Sequence, residues 1–277
     1  MIDLANVLIL ARKELRDAHR NRWFVLYTAT FAGLSLALAW MAMSGLGTSG
    51  MAGFGRTTAA LINLVLLVVP LMGLTLGALS LAGEREQGTL LYLLAQPLTQ
   101  TEVLLGKFVG LSLALLTALI LGFGLSGLVI AWRGGTAEAA TYLTLVLLAF
   151  LLALVSLSLG FLISAAVGKG STAVGLALFV WLVLIFFGDL GLLGTALVME
   201  LEIAQLFAAA LLNPLQVFKI AAILDFRGNL EILGPAGTYA VRTYGDRLMP
   251  LLLTLLAAWT ILPLAFTYLA FRRRGVL

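Results

Sequence analysis

The chain has 277 residues, of which 62% are apolar and only 11% charged, with a formal net charge of +4. About a quarter of a typical soluble domain is charged, so this composition excludes a soluble globular protein and a disordered one. Several long stretches carry no charge and do not alternate apolar with polar residues, which excludes an outer-membrane barrel and predicts an all-α polytopic membrane protein.

Residues 2–22 open the chain as an amphipathic helix. Leu4, Leu8, Ala11, Leu15 and Ala18 recur on one stripe, while Arg12, Lys13, Arg16 and Arg20 lie largely off it. Such a helix is expected in the membrane interface, its cations among anionic headgroups and His19 solvated beside them. The first long apolar run begins near Trp23 and is too long for the core of a cleavable leader. The amino terminus is therefore expected to remain, on the cytoplasmic side.

Six spans follow, at about 23–43, 58–82, 106–131, 140–167, 171–194 and 248–270, each long enough to cross at 1.5 Å per residue. The tightest break is Gly168-Lys169-Gly170. With both termini inside, the inner segments hold eleven Lys and Arg residues and the outer segments six, which fits the positive-inside rule. Gly73 with Gly77, Gly106 with Gly110, and Ser156 with Gly160 are small-residue pairs at four-residue spacing, suited to close helix approach.

Two segments between spans are informative. In 84–105, a polar stretch, Gly83-Glu84-Arg85-Glu86-Gln87-Gly88-Thr89, precedes a short apolar helix from Leu90 to Pro97, and Thr99 with Glu102 fits a capping box. An apolar helix too short to span, set between charged turns, is suited to a protein partner; a lipid surface is the alternative. In 195–247, Asn213-Pro214 reads as an N-cap followed by proline at the first helical position, and Leu215 to Leu224 continues as an apolar helix carrying Gln216 and Lys219. This outer segment either docks a partner through Asn213, Pro214, Gln216 and Lys219 or caps the bundle.

Little chemistry resides on the chain. There is no cysteine and only one histidine, so no thiolate site and no paired-imidazole site can form. Lys169 lacks the glycine spacing of a phosphate loop, since Ile163 stands where the first glycine belongs. Met41, Met43 and Met51 offer thioethers of the kind that suit Cu(I), but Met41 and Met43, two apart, point away from each other on a continuous helix, so no metal site is expected. Apart from Lys107, which opens the third span, Asp189 is the one charged residue read as lying within a span. Without an ATPase motif or a buried relay of ionisable groups, the chain is not an enzyme, and its energy must come from elsewhere.

Ala11-Arg12-Lys13-Glu14-Leu15 through Arg20-Asn21-Arg22-Trp23, the Glu84 to Pro97 signature (Glu-x-x-x-Gly-Thr-Leu-x-x-Leu-Leu-x-x-Pro) and Gly106-Lys107 together resemble the ABC-2 type permeases. The likeness covers nearly the whole chain. It implies the type V exporter-like permease fold: an elbow helix, six spans and one transmembrane domain in the bacterial inner membrane. It further implies that 84–105 is a coupling segment seated in a groove of a separate cytoplasmic ATPase, with Glu84, Arg85, Glu86, Gly88, Thr89, Leu90 and Pro97 at that interface. ATP and magnesium would then belong to the ATPase, and the permease would pair with a second copy of itself.

Arg12-Lys13-Glu14-Leu15-Arg16-Asp17 and the stretch from Asn213-Pro214 to Lys219 resemble more closely the branch of the family that serves copper-site assembly of nitrous oxide reductase. That likeness implies a periplasmic partner protein, copper handled by partners and no cofactor on this chain. The partners are thus a second copy, an ATPase, a periplasmic protein and the lipid membrane, with no nucleic acid. The expectation is a mechanical coupler that passes nucleotide-driven closure to the periplasmic partner. The alternative is an exporter of a sulfur species, a metal ion or a lipid-like substrate.

Overall fold

The computed structural model describes residues 3–44, 51–90, 96–134, 139–188, 202–225 and 235–274. Among them there is no strand. The helices, in chain order, are α1 Leu4–Arg20, α2 Arg22–Ser44, α3 Met51–Glu86, α4 Gln100–Gly134, α5 Ala139–Ala166, α6 Gly170–Phe186, α7 Ile203–Leu211, α8 Pro214–Asp225, α9 Pro235–Tyr244 and α10 Leu248–Arg274. The protein is an all-α polytopic membrane protein. Among the described residues, five helices are long and apolar enough to cross a membrane, or six if the bent pair α7–α8 counts as one crossing. α6 has 17 residues, or about 26 Å of rise. Residues 189–194 of the stretch expected as span 171–194, Asp189 included, lie outside the described residues.

In lipid, helices gain nothing from hiding apolar surface from water, so close packing and interhelical hydrogen bonds hold a bundle together. Both are present here. α3 packs most extensively on α5, where the two small-residue motifs meet each other. A Cβ placed on Gly160 would lie 2.5 Å from the Leu74 carbonyl oxygen and 2.8 Å from the Gly77 Cα, so only glycine allows this crossing. Side chains then stitch helix to helix. The Ser35 hydroxyl donates to the Gly122 carbonyl (2.9 Å), Tyr142 to Phe123 (2.7 Å), Ser158 to Trp259 (3.2 Å) and the Trp181 indole N–H to Leu67 (3.1 Å). The Ser164 hydroxyl accepts from the backbone N–H groups of Leu81 (2.9 Å) and Ala82 (2.8 Å).

α1 packs one face against another helix, and that face is not the stripe expected from periodicity. It runs beside the first half of α4 in the same chain direction, with Val7 and Leu10 against Gly106, Ala11 and Glu14 against Gly110, and His19 against Thr117. The buried stripe is Val7, Leu10, Ala11, Glu14 and Ala18, whereas Leu4 and Leu8 are exposed. The cause is the pair of glycines on α4. A Cβ on Gly110 would stand 2.5 Å from the Ala11 carbonyl oxygen, and one on Gly106 would stand 2.6 Å from the Leu10 Cβ. Asn21 alone separates α1 from α2. Its N–H bonds back to Asp17 and Ala18, and its side-chain oxygen accepts from the Trp23 N–H at 2.9 Å.

At the far end of the bundle, α7 and α8 are bent by 108°, and α8 turns inward onto α5 and α10. Pro214, Leu215, Gln216, Val217 and Phe218 are all buried. Asn213 makes the corner: its side-chain oxygen Oδ1 accepts from the Leu215 N–H (2.9 Å) and its side-chain amide Nδ2 donates to the Leu184 carbonyl (2.6 Å). The expected docking surface is therefore corrected. Pro214 and Gln216 are buried in the bundle, Asn213 is half-buried and ties α8 to α6, and Lys219 is half-buried. Asn213→Ala removes the cap and this tie together. It is expected to cost about 1 kcal/mol, read as a lower thermal midpoint of the purified chain.

Candidate functional site

The polar end of α3 is where the helices converge. α3 continues in helical form through Glu86 and stops because Gly88 adopts φ +72, the left-handed conformation that glycine enters without steric cost. The Gly88 N–H closes onto the Arg85 carbonyl at 3.1 Å, and the Thr89 hydroxyl donates to the Glu84 carbonyl at 3.2 Å. Helix α4 restarts with the expected capping box. Thr99 N–H donates to Glu102 Oε2 (2.8 Å) and Glu102 N–H to Thr99 Oγ1 (3.2 Å). Glu102 Oε1 also accepts the Asp3 N–H at 2.7 Å, fastening the start of α1.

Three consecutive side chains grip three different partners. Glu84 Oε1 accepts from Lys107 Nζ of α4 at 2.7 Å and from Lys13 Nζ of α1 at 3.2 Å. The Arg85 guanidinium donates to the Val167 carbonyl at 2.8 Å, just past the end of α5. Glu86 Oε2 accepts the Gly170 N–H at 2.8 Å, where a carboxylate also meets the positive end of α6. Glu84 and Glu86 thus each have a partner within the chain. The local reason is that α3 runs about one turn beyond Ala82, the last residue of its apolar stretch, which carries these charges in among α1, α4 and the facing ends of α5 and α6.

Glu14 completes the cluster. Its Oε1 accepts from Lys107 Nζ at 2.8 Å and from Lys13 Nζ at 3.2 Å. Lys107, Glu14, Lys13 and Glu84 therefore form a closed square of alternating charge, with side-chain exposures of 1%, 9%, 46% and 19%. Asp17 lies 3.7 Å from Lys13 on the outer rim. Burial pulls the Lys13 ammonium down, and the adjacent Glu14 and Glu84 carboxylates outweigh it, pushing it up to about 12. Sequence reasoning noted Lys107 only as the opening of a span and did not pair Glu14. The available signal was a lysine set between two span glycines, Gly106 and Gly110, in an apolar run.

Beside this cluster, an open groove of about 770 Å³ runs between α1 and the segment from Glu84 to Leu98, lined by Asn6, Ile9, Gln87, Thr89, Gln96 and Pro97 among others. Leu90 is buried, whereas Thr89, Gln96 and Pro97 are exposed. Residues 91–95, most of the expected short helix, lie outside the described residues. Of the cations on α1, Arg12, Arg16 and Arg20 are exposed and only Lys13 joins the square. Met41 is on an exposed face of α2; the side chains of Met43 and Met51 lie outside the described residues.

Comparison with known proteins agrees with this architecture. The model of the ABC-2 family transporter proteins matches residues 8–276. The “Probable ABC transporter permease protein NosY” of Stutzerimonas stutzeri is 34% identical over 273 residues, covering 96% of this chain and 97% of the relative. The protein of the same description from Pseudomonas aeruginosa is 32% identical over 276 residues, covering 98% and 99%.

Proposed function

The chain belongs to the ABC-2 family of transporter permeases, and from that premise we propose that segment 84–98 receives the stroke of a separate ATPase. As an ABC transporter permease it is a bacterial membrane component whose family implies an ATPase partner. The finer reading is a homodimer in the inner membrane, with both termini and the 84–98 segment in the cytoplasm. Its ATPases would bind ATP and magnesium, and a periplasmic protein would take up the motion to serve copper-site maturation of nitrous oxide reductase. The resemblance to the NosY permeases supports that role.

One observation carries the coupling assignment. Glu84, Arg85 and Glu86 are fastened in succession to α1 and α4, to the end of α5 and to the start of α6. A displacement applied just beyond them, across the Gly88 turn, therefore reaches five helices at once. The surface offered to the ATPase is the groove side of Gln87, Gly88, Thr89, Gln96 and Pro97, with Glu84, Arg85, Glu86 and Leu90 holding it in place.

Gly88→Val tests this. A β-branched residue at positive φ costs about 1–2 kcal/mol, a factor of roughly 5–30 in population of the native turn. The variant is expected to reach the membrane and to co-purify with at least fivefold less ATPase than the unaltered chain. Normal ATPase stoichiometry and normal maturation of the reductase in that variant would overturn the assignment.

A crevice of about 560 Å³ between α2, α3 and α6 favours the exporter as the second reading. Asn21, Thr75 and Ser171 punctuate its otherwise apolar lining of Trp23, Tyr27, Leu76 and others, a composition suited to an amphipathic, lipid-like substrate. Purification in mild detergent separates the two. A periplasmic protein held in stoichiometric amount supports the coupler, and an ATPase alone supports the exporter.

A further inference from the structure

We propose that the square of Lys107, Glu14, Lys13 and Glu84 is the joint through which movement of the 84–98 segment is passed to α1 and α4, with Lys107 as its positioning residue. The inference rests on the reading of that segment as the contact with the ATPase. Three helices contribute to the square: α1 brings Lys13 and Glu14, α3 brings Glu84 and α4 brings Lys107. Every link runs through a single carboxylate oxygen, Oε1 of Glu14 or of Glu84, at 2.7 to 3.2 Å. A displacement of Glu84 therefore strains both ammonium groups together.

Lys107 is the member that cannot yield. Its side chain is 1% exposed, and a buried ammonium that loses its carboxylates has no water to replace them. Gly106 and Gly110 on either side leave α1 no room to slide across α4, because the helices already touch through backbone and Cβ atoms. Glu102 at the Asp3 N–H (2.7 Å) and Thr117 at His19 Nε2 (3.1 Å) hold the two ends of α1 to the same helix. α1 and the first half of α4 are thereby one body, and Glu84 ties it ionically to the end of α3. The remaining oxygen, Glu84 Oε2, is buried without a hydrogen-bond partner, so the carboxylate is held through Oε1.

The test uses the complex with its ATPase in lipid nanodiscs. Because the chain has no cysteine, Leu8→Cys on the exposed side of α1 gives one attachment point for an environment-sensitive fluorophore. In the otherwise unaltered complex, ATP with vanadate is expected to shift the label's emission. The charge-balanced variant Lys107→Met/Glu14→Gln leaves Glu84 with Lys13 and no buried charge unopposed. It is expected to keep its thermal midpoint and its bound ATPase while losing at least four-fifths of the emission shift. Lys13→Ala, which touches only the half-exposed corner, is expected to lose less than half. A full shift in the charge-balanced variant overturns the joint alone. Absence of bound ATPase or of any shift in the unaltered complex overturns the coupling reading, and the joint with it.

Discussion

Gly160→Val is expected to destabilise the bundle strongly. The crossing of α3 and α5 is a contact of backbone on backbone: the added Cβ would meet the Leu74 carbonyl oxygen, the Gly77 Cα at 2.8 Å and the Ala78 nitrogen at 2.9 Å. None of these is the movable end of a side chain, so the helices must separate along the crossing. Separation also pulls Ser164 away from the Leu81 and Ala82 N–H groups. Overpacking of this kind costs about 3 kcal/mol or more, and at this chain length each kcal/mol lowers the midpoint by roughly 2–4 °C. A fall of roughly 10 °C in the thermal midpoint in detergent, with a broadened size-exclusion peak, is the expected reading. Gly33→Ala is the control, because nothing lies within 4 Å of its added Cβ. If the two variants melt together, the close crossing of α3 on α5 is not what holds the bundle.

Lys107→Met alone is expected to be nearly as damaging, for an electrostatic reason. The methionine fills the same space, so no cavity opens. Glu14 and Glu84 remain as two carboxylates largely removed from solvent, sharing the single half-exposed Lys13. Removing one partner of a buried ion pair costs about 3–5 kcal/mol, which corresponds to roughly 10 °C in the midpoint. Adding Glu14→Gln restores the charge balance, and most of that loss should be recovered. The two midpoints measured side by side distinguish stranded charge from lost packing. Recovery by Glu14→Gln is expected for the former, and no recovery would assign the effect to packing and remove the electrostatic account.

Residue type and spacing along the chain determined the class of this protein, the approximate ends of its crossings and the segment that breaks their rhythm. Apolar runs without charge can be satisfied only by helices in lipid, so α2 to α5 and α10 were legible from composition. The capping box at Thr99 and Glu102 was legible because it depends on neighbours within a few residues. The ABC-2 signature from Glu84 to Pro97 was legible for the same reason.

Partners distant in sequence were not legible. Nothing local pairs Lys107 with Glu14, 93 positions away, or sets Glu86 at the start of α6. α1 has an apolar stripe on two adjoining faces, and periodicity alone chose Leu4 and Leu8, which the structure leaves exposed. Only the glycines of α4 decide which face is inside, through how closely two backbones can approach. Asn213 and Pro214 likewise announced a helix start, but the 108° bend that buries α8 depends on where the Leu184 carbonyl stands. Sequence settles what a segment of twenty residues can be, because helix formation and membrane partition are local. Which charges neutralise one another, and which faces are hidden, are properties of distance between helices, and those exist only once the bundle is packed.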